Sequence, residues 1–488
     1  MAKETKVGVV SLGCPKNQCD AELMLARIAE AGYKIVPEAG LADVVVINTC
    51  GFITSAKEEA IEEIMEAINR KNDGINKKII VTGCLAQRYQ EQMDDEFPEI
   101  DGVLGIGCND AIVETIERVL SGERVIDFGS IENHNMEGQR MQSTLPHYAY
   151  LRIADGCDNC CTYCAIPQIR GKFRSREIGN IVKEAEILVR KGVKELILVA
   201  QDTTNYGIDI YGKYALPELL KELAKLDVKW IRLLYCYPER MTDELIGLIA
   251  SEPKICKYID LPLQHCDAEI LHDMGRKGDR EYLTALVKKL RDRIPGLTLR
   301  TTFITGFPGE TEEQFTGLAE FAHEVRFDRL GCFAYSAEDE TPAAEFDNQV
   351  DEREREHRAE IIMEQQEIRV SEDMQALIGK ETEAVCEGYD RLSEMYFGRD
   401  ASYAPEIDGM IYFTSKKKLH IGDFVTIRYT DCIDKALRQV QLAREDYIQR
   451  FEDDFDFDWC RDRFDAALNL LDLLRTFDEP RRENDDES

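Results

Sequence analysis

Three times in the first 118 residues an apolar run ends in a cysteine and gives way to a stretch with helical periodicity. K-V-G-V-V-S-L-G-C ends at Cys14 before A-E-L-M-L-A-R-I-A-E-A-G. A-D-V-V-V-I-N-T-C ends at Cys50 before S-A-K-E-E-A-I-E-E-I-M-E-A-I, and K-I-I-V-T-G-C ends at Cys84 before a further helical stretch. This alternation predicts a parallel sheet flanked by helices. Strands of such a sheet all point the same way, so the three cysteines are expected together at its carboxyl edge, where open α/β sheets hold their ligands. A lone cysteine at a strand end is usually a small buried hydrophobe. Three in register point instead to a thiolate-ligated cluster. Cys108, in G-I-G-C, ends a fourth candidate strand and is expected to remain a free thiol, as is Cys19.

The alternation is lost over residues 118–143, which read as a linker. Six apolar runs separated by amphipathic helical stretches then predict strands at 148–153, 196–200, 230–235, 258–263, 297–304 and 329–335, an open or partial (β/α)6 barrel. A charged helical connector at 351–379 has Ile361, Ile362 and Ile368 as its apolar contacts. After it come short β runs with Gly and Pro turns, E-A-V-C-E-G, E-M-Y-F-G-R, G-M-I-Y-F-T and D-F-V-T-I-R-Y, which predict a small five-stranded barrel. The expected fold class is α/β. It comprises an N-terminal parallel α/β domain at 5–118, a partial (β/α)6 core at 143–372, a small β-barrel at 376–442 and an acidic tail at 443–488.

Charge narrows the choice of partner. The chain carries 61 Lys and Arg against 94 Asp and Glu, net −33, a poor match for a phosphate backbone. Within 380–437 there are 8 basic and 11 acidic residues, and only Lys416, Lys417 and Lys418 cluster, whereas an RNA grip is basic. The tail over 444–488 has 7 basic and 16 acidic residues, with a candidate amphipathic helix through Phe464, Leu468, Leu471 and Leu474. The N-terminus runs straight into a strand-like segment without an apolar leader, and no long uncharged apolar run follows. The expectation is a cytoplasmic chain with no membrane partner, whose 16 cysteines serve as ligands and buried thiols rather than disulfides.

The densest chemistry lies at 152–176, R-I-A-D-G-C-D-N-C-C-T-Y-C-A-I-P-Q-I-R-G-K-F-R-S-R. Cys157, Cys161 and Cys164 stand at C-x3-C-x2-C. One short loop can then wrap three thiolates around a cubane cluster and leave the fourth iron without a protein ligand. An open metal position is where chemistry happens. Cys160 permits a second reading as two abutting C-x2-C pairs, but zinc ribbons separate their knuckles by a long loop, so Cys160 is expected to be a spare thiol. With Tyr163 directly before the third cysteine, the loop resembles the signature of radical S-adenosylmethionine (SAM) enzymes. That resemblance implies SAM bound at the open iron and cleaved reductively to a deoxyadenosyl radical. Polar residues at the strand ends become candidates for the SAM pocket: Gln201 with Asp202, Gln264 with His265, and Glu310 in the T-G-F-P-G-E turn. Arg170, Arg174 and Arg176 are candidates for gripping a carboxylate; His265 beside Cys266 is expected to be a loop histidine rather than a metal ligand.

Longer strings carry a more specific resemblance. S-L-G-C-P-K-N, V-V-V-I-N-T-C-G-F-I, A-Q-D-T-T-N-Y-G, L-P-L-Q-H, R-T-T-F-I-T-G-F-P-G-E-T-E-E-Q-F, Y-S-A-E-D-E-T-P-A-A and A-P-E-I-D-G make nearly all of the chain up to about residue 442 similar to the methylthiotransferases. Pro15 and Ala165-Ile166-Pro167 stand where the tRNA-modifying branch has Gln and V-V-P, so the resemblance is to the branch that modifies an aspartate of small-subunit ribosomal protein S-twelve. It implies a TRAM-type barrel and two 4Fe-4S clusters, a radical one on Cys157, Cys161 and Cys164 and an auxiliary one on Cys14, Cys50 and Cys84. The SAM-pocket candidates are Tyr163 of the cysteine loop, Gln201, Gln264 and Glu310 at the strand ends, and Arg176 just past the loop, with an electron donor such as flavodoxin or ferredoxin as the expected partner. One SAM would methylate a sulfur held at the auxiliary cluster; a second would yield the radical that takes a hydrogen from the aspartate β-carbon. The same chemistry on tRNA adenosine, and a non-catalytic iron–sulfur carrier, are the competing readings.

Overall fold

The computed structural model describes residues 5–431. The first layered region comprises β1 (Lys6–Ser11), α1 (Pro15–Glu30), β2 (Lys34–Val36), β3 (Val44–Thr49), α2 (Thr54–Asn72), β4 (Lys78–Gly83), α3 (Cys84–Glu96), β5 (Gly102–Leu104), α4 (Ile112–Leu120) and β6 (Val125–Asp127). The sheet order is β2-β1-β3-β4-β5-β6, parallel throughout. Every residue of β3 is buried, as expected of a central parallel strand covered on both faces. Val45, Ile47, Ile79 and Val81 pack on Ile64 and Ala67 of α2, while Val44, Val46 and Ile80 pack on Met24, Ile28 and Ile116 of α1 and α4. The stretch read as a linker contributes β6, a three-residue edge strand too short to show a period.

A second parallel sheet follows, in the order β14-β13-β12-β11-β10-β7. Its elements are β7 (Tyr148–Arg152), the short hairpin pair β8 (Ala154–Asp155) and β9 (Arg174–Ser175) around α5 (Ile166–Arg170), then α6 (Ile178–Arg190), β10 (Glu195–Val199), α7 (Ile208–Tyr211), α8 (Leu216–Leu223), β11 (Trp230–Leu233), α9 (Asp243–Ser251), β12 (Ile255–Asp260), α10 (Ala268–Asp273), α11 (Arg280–Arg293), β13 (Thr298–Thr305), α12 (Glu312–Val325) and β14 (Arg329–Ala334). This is the partial (β/α)6 barrel expected from the pattern. β12 covers Ile255–Asp260 rather than 258–263, and it ends early because Pro262 has no N–H to give a ladder.

The connector helix α13 (Glu352–Gln375) leads to β15 (Glu381–Asp390), β16 (Met395–Asp400), β17 (Ile411–Phe413) and β18 (Phe424–Arg428). β15 pairs antiparallel with β16, and β16 with β17. The four β runs seen in the sequence are these strands; the remainder of the expected barrel and the acidic tail lie outside the described residues. The described chain forms two compact units, 5–366 with 383–425, and 367–382 with 426–431. In the first, the A-P-E-I-D-G motif is an anchor. Glu406 accepts hydrogen bonds from the hydroxyls of Tyr148 (2.9 Å) and Tyr150 (2.8 Å), and Asp408 from that of Tyr258 (2.8 Å). In the second, Arg428 pairs with Glu381 at 2.6 Å. No helix among the described residues is long and apolar enough to cross a membrane.

Candidate active site

Cys50 and Cys84 stand directly after β3 and β4, and Cys14 three residues past the end of β1; the three strands are adjacent. Glycines let the three turns close on one another. Gly13, at φ +86°, lies so near Cys50 that a Cβ there would sit 2.6 Å from the Cys50 Cβ and 2.9 Å from its Sγ. A Cβ on Gly51 would meet the Leu85 backbone at 2.7 Å. Each thiol has donors aimed at it, as an anionic sulfur requires: the N–H groups of Asn17 and Lys16 at Cys14, that of Phe52 at Cys50, and the Arg170 Nη2 at Cys84, 3.3 Å from its Sγ. Burial pushes the Cys14 thiol up, but the Lys16 ammonium and Arg170 guanidinium more than reverse that and hold it below its ordinary value. Burial and its sulfur neighbours push Cys50 up to about 12.

The second set lies on the loop between β8 and α5. Its backbone is strapped at several points: the Cys157 N–H to the Gly171 carbonyl (3.1 Å), the Thr162 N–H to Met274 (3.1 Å) and the Ala343 N–H to the Thr162 carbonyl (3.0 Å). Asn159 is held by Asp202 at 3.0 Å and Arg240 at 2.8 Å. Backbone N–H groups of Asn159 and Ile166 point at the Cys157 and Cys164 sulfurs, and burial pushes these thiols up to about 11 and 12. Cys160 takes φ +51° and its side chain is exposed, turned out of the set. Among the described residues no three His, Cys, Asp or Glu side chains close on a single ion; thiols that cap a cubane stand farther apart than ligands of one ion. Both triads therefore fit a cluster by donor type, convergence and N–H support.

The segment that leaves β11 touches the surroundings of both sets. Tyr235 carries the Lys16 Nζ 3.5 Å above its ring centroid, and Lys16 is two residues from Cys14. Tyr237 brings its hydroxyl to 3.6 Å from the Cys161 Sγ. Tyr235 is a non-glycine residue at φ +59°, and such strain gathers where function holds it in place. Beneath lies a buried charge network. Arg170 donates to Asp20 (2.7 Å), Asn17 (3.2 Å), Cys84 and, at 3.4 Å, Asp155. Asp20 also accepts from Arg152, and His134 bridges Asp20 (2.9 Å) and Asp155 (2.7 Å). Burial would lower the His134 pKa; the two carboxylates outweigh it and raise it above the ordinary value. Asp155 in turn accepts from Gln201 Nε2 at 3.0 Å.

The expected SAM-pocket residues divide. Gln201 and Gln264 each present a buried Oε1 with no hydrogen-bond partner among the described residues, and Gln264 takes φ +70°. Tyr163 packs among Met274, Phe307 and Tyr335. Arg174 leaves its Nε and Nη2 without hydrogen-bond partners. Arg176 and Glu310 are placed otherwise than expected. Arg176 is consumed by Glu137 (2.7 Å), Glu184 (2.6 Å) and the Arg152 carbonyl. The Glu310 carboxylate is consumed by His265 (3.0 Å), Arg358 (2.9 Å) and the Gly306 N–H (2.5 Å), which also makes His265 structural. Cys19 donates to the Tyr150 carbonyl and Cys108 neighbours Asp127, each apart from the triads. Sequence reasoning missed Lys16, Asp20, His134, Asp155, Tyr235 and Tyr237. Only Asp155 and Lys16, beside motif cysteines, carried any local signal.

Family profiles match at residues 6–105 (Uncharacterized protein family UPF0004), 151–322 (Radical SAM superfamily) and 378–437 (TRAM domain). The chain is 49% identical over 440 residues to the ribosomal protein uS12 methylthiotransferase RimO of Desulforamulus reducens, covering 88% of this chain and 98% of that protein. It is 47% identical to the protein of that name from Thermoanaerobacter sp., covering 88% and 98%, and 46% to that from Desulfitobacterium hafniense, covering 87% and 96%. Among solved structures, the radical SAM methyltransferase TsrM from Kitasatospora setae matches with a TM-score of 0.53 at 15% identity, over 70% of this chain and 75% of that one, a likeness of fold. The radical SAM superfamily brings with it a 4Fe-4S cluster and SAM. The chain is a SAM-dependent transferase and belongs to the radical SAM methylthiotransferases of the RimO family.

Proposed function

We propose that the chain adds a methylthio group to the β-carbon of an aspartate in ribosomal protein uS12, in the cytoplasm, with one 4Fe-4S cluster on Cys157, Cys161 and Cys164 and a second on Cys14, Cys50 and Cys84. The observation that carries this reading is the segment holding Tyr235 and Tyr237. One of these rings meets Lys16 beside the strand-end thiols and the other meets Cys161 of the loop, so one short segment touches the surroundings of both triads, which supports their working together. When bound, the clusters and SAM supply single-electron reduction, a radical able to take an unactivated hydrogen, and the sulfur and methyl to be delivered. General-base chemistry does not serve, because such a C–H bond has no usable acidity.

The chain's own residues do the placing. The Gln201 and Gln264 carbonyl oxygens suit the ammonium and hydroxyl donors of SAM, and the Arg174 Nε, which lacks a hydrogen-bond partner while Nη2 lies 3.9 Å from Asp155, suits its carboxylate. Tyr163 closes the apolar side of the loop. Arg170 fixes the Cys84 sulfur from behind, while its bonds to Asp20 and Asp155 hold the guanidinium itself. A flavodoxin or ferredoxin suits the role of reductant, and the acidic β region favours a protein over tRNA as substrate.

The test gives full-length, cluster-reconstituted protein SAM, a reductant, and uS12 or a tRNA stem-loop in parallel. Mass analysis is expected to find a methylthio group on one aspartate of uS12 and none on the RNA. The reverse result overturns the substrate.

A further inference from the structure

We propose that Glu338 is a positioning residue that holds the turn after Cys50 and the loop bearing Cys157, Cys161 and Cys164 at a fixed separation. The inference rests on the function proposed above, in which both triads serve one reaction, and deepens it. Glu338 lies in Y-S-A-E-D-E-T-P-A-A, the stretch that leaves β14, and is 2% exposed. Its Oε2 accepts from the Lys57 Nζ of α2 at 2.9 Å and the Arg88 Nη1 of α3 at 2.8 Å, and its Oε1 from the Ser336 hydroxyl at 2.7 Å. Burial pushes the carboxyl up, but the bonds from Lys57, Ser336 and Arg88 more than reverse that and hold it below its ordinary value. Arg88 carries the contact into the site. The same Nη1 donates to the Gly51 carbonyl at 2.9 Å, and Nη2 donates to the Asp339 carbonyl at 2.8 Å. Gly51 directly follows Cys50 and lies against Leu85, the residue after Cys84. A planar guanidinium offers its donors in a fixed fork, so these acceptors are held in one geometry.

The other end of the stretch reaches the cysteine loop. Thr341 donates its hydroxyl to the Glu338 carbonyl at 2.7 Å. Two residues on, the Ala343 N–H donates to the carbonyl of Thr162, which stands between Cys161 and Cys164, at 3.0 Å. Gln168 of α5 donates to the Glu340 carbonyl at 2.6 Å, and Glu340 takes φ +61°, a conformation that persists only where the surroundings impose it. From Glu338 to Ala343 the chain is therefore tied to the Cys50 turn on one side and to the loop on the other. Each of these bonds joins two groups of the chain itself. A buried ion pair is weak evidence for stability; what this one fixes is geometry.

The experiment uses the full chain with its clusters reconstituted, as wild type, Glu338→Gln and Arg88→Lys, the last keeping the charge but losing the planar fork. Iron and sulfide content, Tm, deoxyadenosine formed, methylthio groups transferred to uS12 and hydrogen exchange at residues 341–343 are measured. Both variants are expected to keep their iron and their deoxyadenosine production. Methylthio transfer should fall about a hundredfold, the effect of a misplacement of about 1 Å, and exchange at 341–343 should rise about tenfold, the value of one hydrogen bond. A lower Tm with the ratio of deoxyadenosine to methylthio groups unchanged overturns the proposal, because Glu338 would then only stabilise. Loss of iron in both variants overturns it, and so does unchanged exchange at 341–343. A wild-type chain that leaves uS12 unmodified overturns the substrate reading instead, and the exchange at 341–343 still decides whether the stretch is a brace.

Discussion

The two cysteine triads are built on opposite principles. Cys157, Cys161 and Cys164 lie on one short loop, brought together by local spacing and held by a few backbone straps to Gly171, Met274 and Ala343. Cys14, Cys50 and Cys84 are 36 and 34 residues apart and meet only because β1, β3 and β4 are neighbours in a parallel sheet. Their turns approach closely enough to require glycine at 13 and 51. A loop site survives small shifts of the sheet, whereas a strand-end site is only as good as the register beneath it. The environments are alike in kind: backbone N–H groups point at thiols of both sets, Arg170 and Lys16 face Cys84 and Cys14, and the buried Arg276 guanidinium lies near Cys164.

The largest effect should come from removing either triad. Replacing Cys157, Cys161 and Cys164 with Ala is expected to abolish SAM cleavage while about half the iron remains. Replacing Cys14, Cys50 and Cys84 should also halve the iron, yet leave reductive SAM cleavage running without methylthio transfer. A reconstituted wild-type chain holding only about four irons, all lost in the loop mutant, would falsify the separation of the two sites.

Next in size, Asp20→Asn strands the buried Arg152 guanidinium, removes one of the two carboxylates on Arg170, and should cost about 3–5 kcal/mol in denaturant unfolding. Because Arg170 also touches Cys84, the strand-end iron should be lost first. Gly13→Ala places a methyl against Cys50 at positive φ, at a cost of about 1–3 kcal/mol. It should lower iron at the strand ends and spare SAM cleavage, and equal loss from both sites would erase the distinction between loop and sheet.

His134→Gln tests the pH dependence of the network between the triads. The His134 pKa is raised in the folded chain, so its stabilisation is full below the unfolded value of about 6.5 and is lost as pH rises through the folded value. The drop in Tm relative to wild type should be larger near pH 6 than near pH 9, and a pH-independent drop would show the ring to be neutral. The smallest effects belong to Cys108→Ala and Cys160→Ala, which should change neither iron count nor SAM cleavage.

The alternation of apolar runs and helices determined both parallel sheets, because buried parallel strands and amphipathic helices must be written in their own periods. The C-x3-C-x2-C spacing determined the loop site, which needs no partner from elsewhere in the chain. The strand-end triad was legible too, since a parallel sheet aligns strand ends whatever lies between them. Short elements were not: β6 has three residues and no period to read. Nor could the sequence say which polar residues at strand ends face a ligand. Glu310 and Arg176 looked like pocket residues and instead close ion pairs with Arg358, Glu137 and Glu184, while Lys16 and Tyr235 looked ordinary and meet in a buried contact beside Cys14. Period and spacing record which face of an element is buried and which thiols share a loop. Whether a buried charge already has its counter-charge depends on residues as far apart as Asp20 and Arg152, or Lys16 and Tyr235, and only the packed chain brings those together.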